Sequence, residues 1–400
     1  MISYYKNTLL ELFNELNQIY LDPVNNIELI RDIQLRLIKK TFYIENKIKR
    51  KKESIKSLKK EKSNLPRTSQ SKEIALKIKD IIKSYDMDID DYQRILGLLK
   101  KIGDGIAFSL FQKWDIKPAS FKDSSGFISG KQGFILEKQL FNRAFNNGIP
   151  AILNDLTNCF KYGDLTIINP KNGLPYFIEA KSSANVNNRI IRQKDKLLKL
   201  TKYLETDEID NFYDTIGTMK RISYNKEENN YIDLLNKMIM EALKTGNSFE
   251  LVEKGLAYFV TTFFSKTDIN TLLNKLDFKP VVNVVNDFKL NKESRGYFPF
   301  VLSIKEPLAK YMFFTGELII LCFTDLNEII KHFESRGIIV SIEERDNFLL
   351  KLYDSKREVS LQVSSHFFYR VYSEFISLEW MLNEIYSQIM NIKNKLEIVV

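Results

Sequence analysis

Residues 161–183 read KYGDLTIINPKNGLPYFIEAKSS. Two short apolar runs, Asp164 to Ile168 and Tyr176 to Ala180, flank a link from Asn169 to Pro175 that carries the Asn-Gly and Pro signals of a tight reversal. Successive side chains on a strand point to opposite faces, so Phe177, Glu179 and Lys181 share one face and Tyr176, Ile178 and Ala180 the other. Closed as an antiparallel pair, the runs bring Asp164 opposite the Glu179 end.

Two carboxylates held on a rigid sheet offer hard oxygen ligands to Mg²⁺, which keeps several of its waters. A lysine beside them can hold or help deprotonate an attacking water, while the metal polarises a phosphate and stabilises the leaving oxygen. The plain alternative is an exposed edge hairpin with a weak cross-strand ion pair.

The flanking segments bear on that choice. Phe134 to Phe145 reads as a helix with Phe134, Phe141, Ala144 and Phe145 on one face. At about 100° per residue Glu137 falls inside that stripe. A buried unpaired charge is costly, so Glu137 needs a metal, a lysine or a water network as partner. Downstream, Asn187 to Leu204 reads as a second helix, with Ile190, Leu197, Thr201 and Leu204 on its packed side. Arg189, Arg192, Lys196 and Lys199 form one basic row at i, i+3, i+7 and i+10, with Gln193 beside it. Such a row suits a phosphate backbone, although most charge rows are solvated faces.

Asp164 followed by Glu179-Ala180-Lys181 after a β-turn resembles the PD-(D/E)xK, or restriction-endonuclease-like, nuclease superfamily. Gly163 departs from the proline in the family's name. The resemblance implies an α/β restriction-endonuclease-like core, a mixed sheet flanked by helices. It also implies a Mg²⁺-dependent nuclease, with Mn²⁺ as a substitute, acting on DNA with RNA left open. Asp164 and Glu179 would be the metal ligands, Lys181 the water-positioning group and Glu137 an auxiliary acid. Arg189, Arg192, Gln193, Lys196 and Lys199 would meet the nucleic acid. A restriction or phage-defence role follows by analogy alone.

The 400 residues are long enough for two or three domains. Three are expected: a helical or coiled-coil arm at 1–103, the nuclease-like domain at 104–265 and an α/β accessory domain at 266–400. In the arm, Ile30, Ile33 and Leu37, then Ile44, Ile48, Ile55 and Leu58, keep helical spacing. Residues 47–62 hold nine basic and two acidic side chains, either a nucleic-acid grip or the solvated tip of a coiled coil. A homodimer or a partner protein is expected to form through this arm. In the last third, Phe298–Ser303, Glu317–Phe323, Gly337–Ile342, Leu349–Tyr353 and Val359–Val363 read as strands, and a helix from His366 to about Leu396 closes the chain.

Several rivals drop out. Two histidines, His332 and His366, cannot assemble an HNH nuclease or an HExxH protease, and two distant cysteines, Cys159 and Cys322, support neither a disulfide framework nor a cysteine zinc site. Ser124 to Gly133 is one residue short of a Walker A loop, with Gln132 where Ser or Thr belongs, and reads as an approach loop whose amides could touch phosphate. Asp86, Asp88, Asp90 and Asp91 miss the calcium-loop glycine and glutamate and read as a helix-start cap. The aromatic run from His366 to Tyr372 can stack bases but has the spacing of a core stripe. No apolar run reaches membrane-span length and the start lacks a signal-peptide layout, so a cytoplasmic protein is expected. Two other classes stay open: a non-catalytic nucleic-acid-binding protein on the same fold, and a coiled-coil assembly component.

Overall fold

The spaced isoleucines of the first hundred residues become the seam of a helical hairpin in the computed structural model of the chain, which describes residues 2–66, 68–120, 126–131, 133–180, 188–210, 218–221, 227–263, 271, 273–289, 292–342, 348–392 and 397–399. Helix α1 (Lys6–Leu21) packs on the pair α2 (Ile27–Ser63) and α3 (Ser69–Leu110). Ile30, Ile33, Leu37, Ile44, Ile48 and Ile55 of α2 and Ile78, Ile89, Ile95 and Ile102 of α3 are buried. Thr68 caps α3, its hydroxyl accepting from the Ser71 amide at 3.2 Å. The acidic run from Asp86 to Asp91 lies in the middle of α3 instead of starting a helix. There Asp88 pairs with Lys51 at 2.5 Å, and Ile89 and Tyr92 supply the seam.

The chain divides into two compact units, Met1–Lys220 and Arg221–Val400, in place of the three parts expected. The helical arm is part of the first unit because its base packs against the sheet. After α4 (Lys113–Ile116) and α5 (Phe134–Asn146), strands β1 (Ala151–Leu153), β2 (Leu165–Ile168) and β3 (Pro175–Ile178) form a sheet in that order. Gln34 of α2 bonds along β1, donating to the Ala151 carbonyl at 2.8 Å and accepting from the Leu153 amide at 3.0 Å. The Phe42 and Phe134 rings meet at 5.0 Å. Gly103 of α3 lies so close to the chain that an added Cβ would stand 2.1 Å from the Leu156 carbonyl oxygen. Beside it, buried Asp104 accepts from the Asn158 and Cys159 amides at 2.5 and 2.9 Å.

Both pairings, β1 with β2 and β2 with β3, are antiparallel, where a mixed sheet was expected. Helix α6 (Asn188–Thr206) follows, then a separate antiparallel pair, β4 (Glu208–Asp210) and β5 (Thr218–Lys220). Leu200, Tyr203 and Leu204 are the buried side of α6, Leu197 and Thr201 are half-buried, and the Ile190 side chain lies outside the described residues.

The second unit opens with α7 (Ile232–Thr245) and an antiparallel sheet ordered β6-β7-β9-β8, from β6 (Asn247–Glu253), β7 (Leu256–Thr262), β8 (Val281–Val284) and β9 (Leu318–Thr324). β7, expected to close the nuclease-like domain, is instead central here: Tyr258, Phe259 and Val260 are buried between β6 and β9. Helices α8 (Val285–Phe288), α9 (Phe300–Ser303), α10 (Pro307–Thr315) and α11 (Leu326–Glu334) contribute Val285, Phe300, Phe313 and Phe333 to the core that holds Tyr258. Phe298–Ser303 is thus no strand; Pro299 caps a short helix and accepts from the Ser303 amide at 3.2 Å.

A second sheet runs β10 (Ile339–Ile342), β11 (Phe348–Asp354), β12 (Val359–Ser364) and β13 (Glu397–Val399), with β13 parallel to β12. The closing helix is broken in two, α12 (His366–Ser373) and α13 (Leu378–Asn391). Phe375 turns the chain at φ 55°, and Ser377 restarts the helix by accepting from the Trp380 amide at 3.1 Å. Half-buried Glu253 accepts from the Ser377 hydroxyl at 2.8 Å and from the Leu378 amide. The aromatic run is core: Phe367, Val371 and Tyr372 are buried, and Arg370 is neutralised by Glu374 at 2.9 Å and by Glu228. Among the described residues no helix is long and apolar enough to cross a membrane.

Candidate functional site

The hairpin forms at the expected register, with Leu165 opposite Ile178 and Ile168 opposite Pro175. Asn169 and Gly173 close the turn, the Gly173 amide donating to the Asn169 carbonyl at 2.8 Å with Gly173 at φ 74°. Asp164 therefore stands just before β2 and Glu179 just after β3, at the same open end. The Asp164 amide donates to the Ile178 carbonyl at 2.8 Å, and the Ala180 amide donates back to Asp164 Oδ2 at 2.9 Å. Gly163 sits at φ 69°, where an added Cβ would lie 2.9 Å from the Ile178 carbonyl oxygen. Proline, confined to negative φ, cannot take that conformation.

Asp164 Oδ1 accepts from Lys131 Nζ at 3.0 Å. The same ammonium reaches Glu137 Oε1 at 2.9 Å and Asp155 Oδ2 at 2.9 Å. Three carboxylates from three places in the chain thus converge on one cation: Glu137 from α5, Asp155 from the 3-10 turn Asn154–Leu156, and Asp164 from the start of β2. The Glu137 side chain is 2% exposed, Asp155 12%, Asp164 15% and Lys131 33%. Burial raises the Glu137 pKa above the ordinary carboxyl value, partly countered by Lys131. For Lys131 burial acts to lower the pKa, but its hydrogen bonds to Asp155, Glu137 and Asp164 prevail and raise it. The partner that Glu137 needs is a lysine.

Neither Lys131 nor Asp155 was singled out for this role from the sequence. Lys131 lies in the glycine-containing approach loop, which is held down by buried Glu45 of α2: its carboxylate accepts from the Ile128 and Ser129 amides at 3.1 and 2.6 Å. Those two amides are occupied by protein, which removes them from the phosphate contact expected of the loop.

On the other side of Asp164, Glu179 lines a pocket of about 360 Å³ with Tyr162, Gly163, Arg192, Gln193, Lys196 and Leu197. Hairpin end and helix α6 are thereby joined: one carboxylate, two cations and an amide face the same space. Lys199 is outside that lining and lies 3.4 Å from Asp195. Arg189 is on α6, but its side chain lies outside the described residues, as does Lys181.

Among the described residues no group of three or more His, Cys, Asp or Glu is arranged to hold a metal ion. Mg²⁺ commonly takes one or two carboxylates, completing its shell with water and substrate phosphate. Asp164 and Glu179, flanking one pair of strand ends and presenting oxygen donors alone, fit such an ion by their chemistry. Cys159 and Cys322 are both buried and free. Comparison of the chain with models of known protein families, with curated protein sequences and with solved structures finds no match in any of the three.

Proposed function

We propose that this protein is a Mg²⁺-dependent nuclease with a restriction-endonuclease-like core, a DNA endonuclease of restriction or phage-defence type. The observation that carries the proposal is the pocket in which Glu179 faces Arg192, Gln193 and Lys196 beside Asp164. The order of elements, a helix bearing Glu137, three antiparallel strands and a second helix, supports it.

Asp164 and Glu179 would hold the ion, which when bound supplies charge to a scissile phosphate and its leaving oxygen. The Ala180 amide fixes the Asp164 carboxylate. Arg192 and Lys196 draw the phosphate backbone into the pocket, and Gln193 between them offers a neutral hydrogen-bonding contact. Lys181, two residues past Glu179, takes the water-positioning role implied by the resemblance. Glu137 acts through Lys131, keeping that ammonium between Asp155 and Asp164.

A second reading is favoured by Lys131 itself. A lysine neutralising Glu137, Asp155 and Asp164 is also what a purely structural cluster looks like, in a protein that binds nucleic acid without cutting it.

Digestion of plasmid, linear and single-stranded DNA with Mg²⁺, Mn²⁺ or EDTA separates the two. Metal-dependent cutting abolished by Asp164→Ala and by Lys181→Ala supports the nuclease. DNA binding without cutting in either metal overturns it in favour of the binding protein.

A further inference from the structure

The positive charge of this protein is concentrated in one place. Residues 47–83, the far halves of α2 and α3 with their link, hold fourteen Lys and Arg against four Asp and Glu, a net +10. The remaining residues hold 46 against 47, a net −1, so the whole excess of +9 belongs to the hairpin end. The concentration is compensated only in part, by Asp88 on Lys51 at 2.5 Å and Glu73 on Lys77 at 2.8 Å. Lys49, Lys52, Lys56 and Lys60 of α2 are exposed and have no carboxylate partner among the described residues, and Lys72, Lys79 and Lys83 of α3 are exposed as well.

The α2 lysines are also aligned. Their spacing of i, i+3, i+7 and i+11 keeps them within an arc of about 80°, on a track about 17 Å long at 1.5 Å per residue. The track starts beside the candidate site. The Lys52 ammonium lies over the Phe127 ring at 5.8 Å, in the loop that leads to Lys131, and Glu45, two turns earlier on the same helix, holds that loop by its amides.

We infer that the basic end of this helical hairpin is a second, sequence-independent binding surface for the phosphate backbone of duplex DNA, a track leading away from the Asp164 end of the β2–β3 hairpin. A duplex presents one charge per about 1.7 Å of axis, so a 17 Å row of four lysines always has phosphates within reach, whatever the sequence. The inference rests on the nucleic-acid reading of the pocket for its choice of partner, and it adds where most of the affinity resides. It also argues against pairing of two hairpin ends in a homodimer, because two +10 surfaces would repel.

The test is fluorescence anisotropy of the full chain with a labelled 30-bp duplex in EDTA, which prevents cutting, across 50 to 300 mM NaCl. The comparison is Lys49→Gln/Lys52→Gln/Lys56→Gln/Lys60→Gln, which removes charge at exposed positions and keeps helix-forming residues. Circular dichroism checks that both fold alike. The variant should bind at least tenfold more weakly at 100 mM NaCl. The slope of log affinity against log salt should fall by about 0.9 for each phosphate that is no longer neutralised, up to about 3.6. Unchanged affinity and slope overturn the proposal. So does tighter binding to vesicles containing phosphatidylserine than to the duplex, abolished in the same variant, which would make the surface a membrane contact. Failure of the nuclease reading shows elsewhere, as absent cutting in Mg²⁺ while the salt slope and its reduction in the variant persist.

Discussion

Replacing Lys131 by methionine keeps the length of the side chain and removes the ammonium from among Glu137, Asp155 and Asp164. Removing one partner of a buried ion pair costs about 3–5 kcal/mol, since the other charge stays buried. One third of the Lys131 side chain is exposed, and solvent screening brings the expected loss to about 2–3 kcal/mol. For a unit of 220 residues this lowers its melting temperature by about 4–12 °C. The loss has a pH signature. Burial already raises the Glu137 pKa, and without the opposing lysine it rises further. An acid raised in the folded state contributes stability below its ordinary pKa and loses it as pH rises through the raised value. The deficit of Lys131→Met relative to the parent chain should therefore be small at pH 5 and full at pH 8. Urea unfolding at both pH values, in EDTA, measures it. A deficit under about 1 kcal/mol at pH 8, or one as large at pH 5 as at pH 8, refutes the reasoning.

Gly163→Ala should destabilise the first unit by about 1–3 kcal/mol, because alanine is strained at φ 69° and its Cβ meets the Ile178 carbonyl; urea unfolding within about 0.5 kcal/mol of the parent would show that the turn relaxes freely. In the second unit, burial pushes the fully buried Lys310 down to about 7. A lysine depressed in the folded state loses stability as pH falls from 10.5 through that value, so Lys310→Met should gain a few kcal/mol at pH 6 and nothing at pH 11. An equal difference at both pH values in denaturant titrations would exclude titration of Lys310 as the cause.

The parts of the site that obey a period were legible. Period-two alternation and an Asn-Gly turn placed Asp164 against the Glu179 end, and the 3.6 period placed Glu137 in a buried stripe; both outcomes follow from local backbone geometry. Lys131 and Asp155 have no period to betray them, one in a loop and the other in a single 3-10 turn, and their meeting depends on how α5 and β1 pack. The helical hairpin was legible from its seam, but its attachment to the sheet turns on Gln34 and Gly103, single residues whose contacts lie more than fifty positions away. Likewise the closing helix kept its apolar period through a break, because the interruption rests on one left-handed residue, Phe375, and on Glu253 waiting to cap the restart.

The Gln34 side chain closes an exposure that sheets otherwise leave. β1 is the outer strand of β1-β2-β3, and the open edge of such a strand templates the addition of a strand from another molecule. One glutamine amide, with its donor on the Ala151 carbonyl and its acceptor on the Leu153 amide, occupies that edge as a short imitation strand. The edge is thereby sealed inside the first unit by a residue of its own helix, and Gln34→Leu, nearly the same volume, would leave the Ala151 carbonyl and the Leu153 amide buried without that partner.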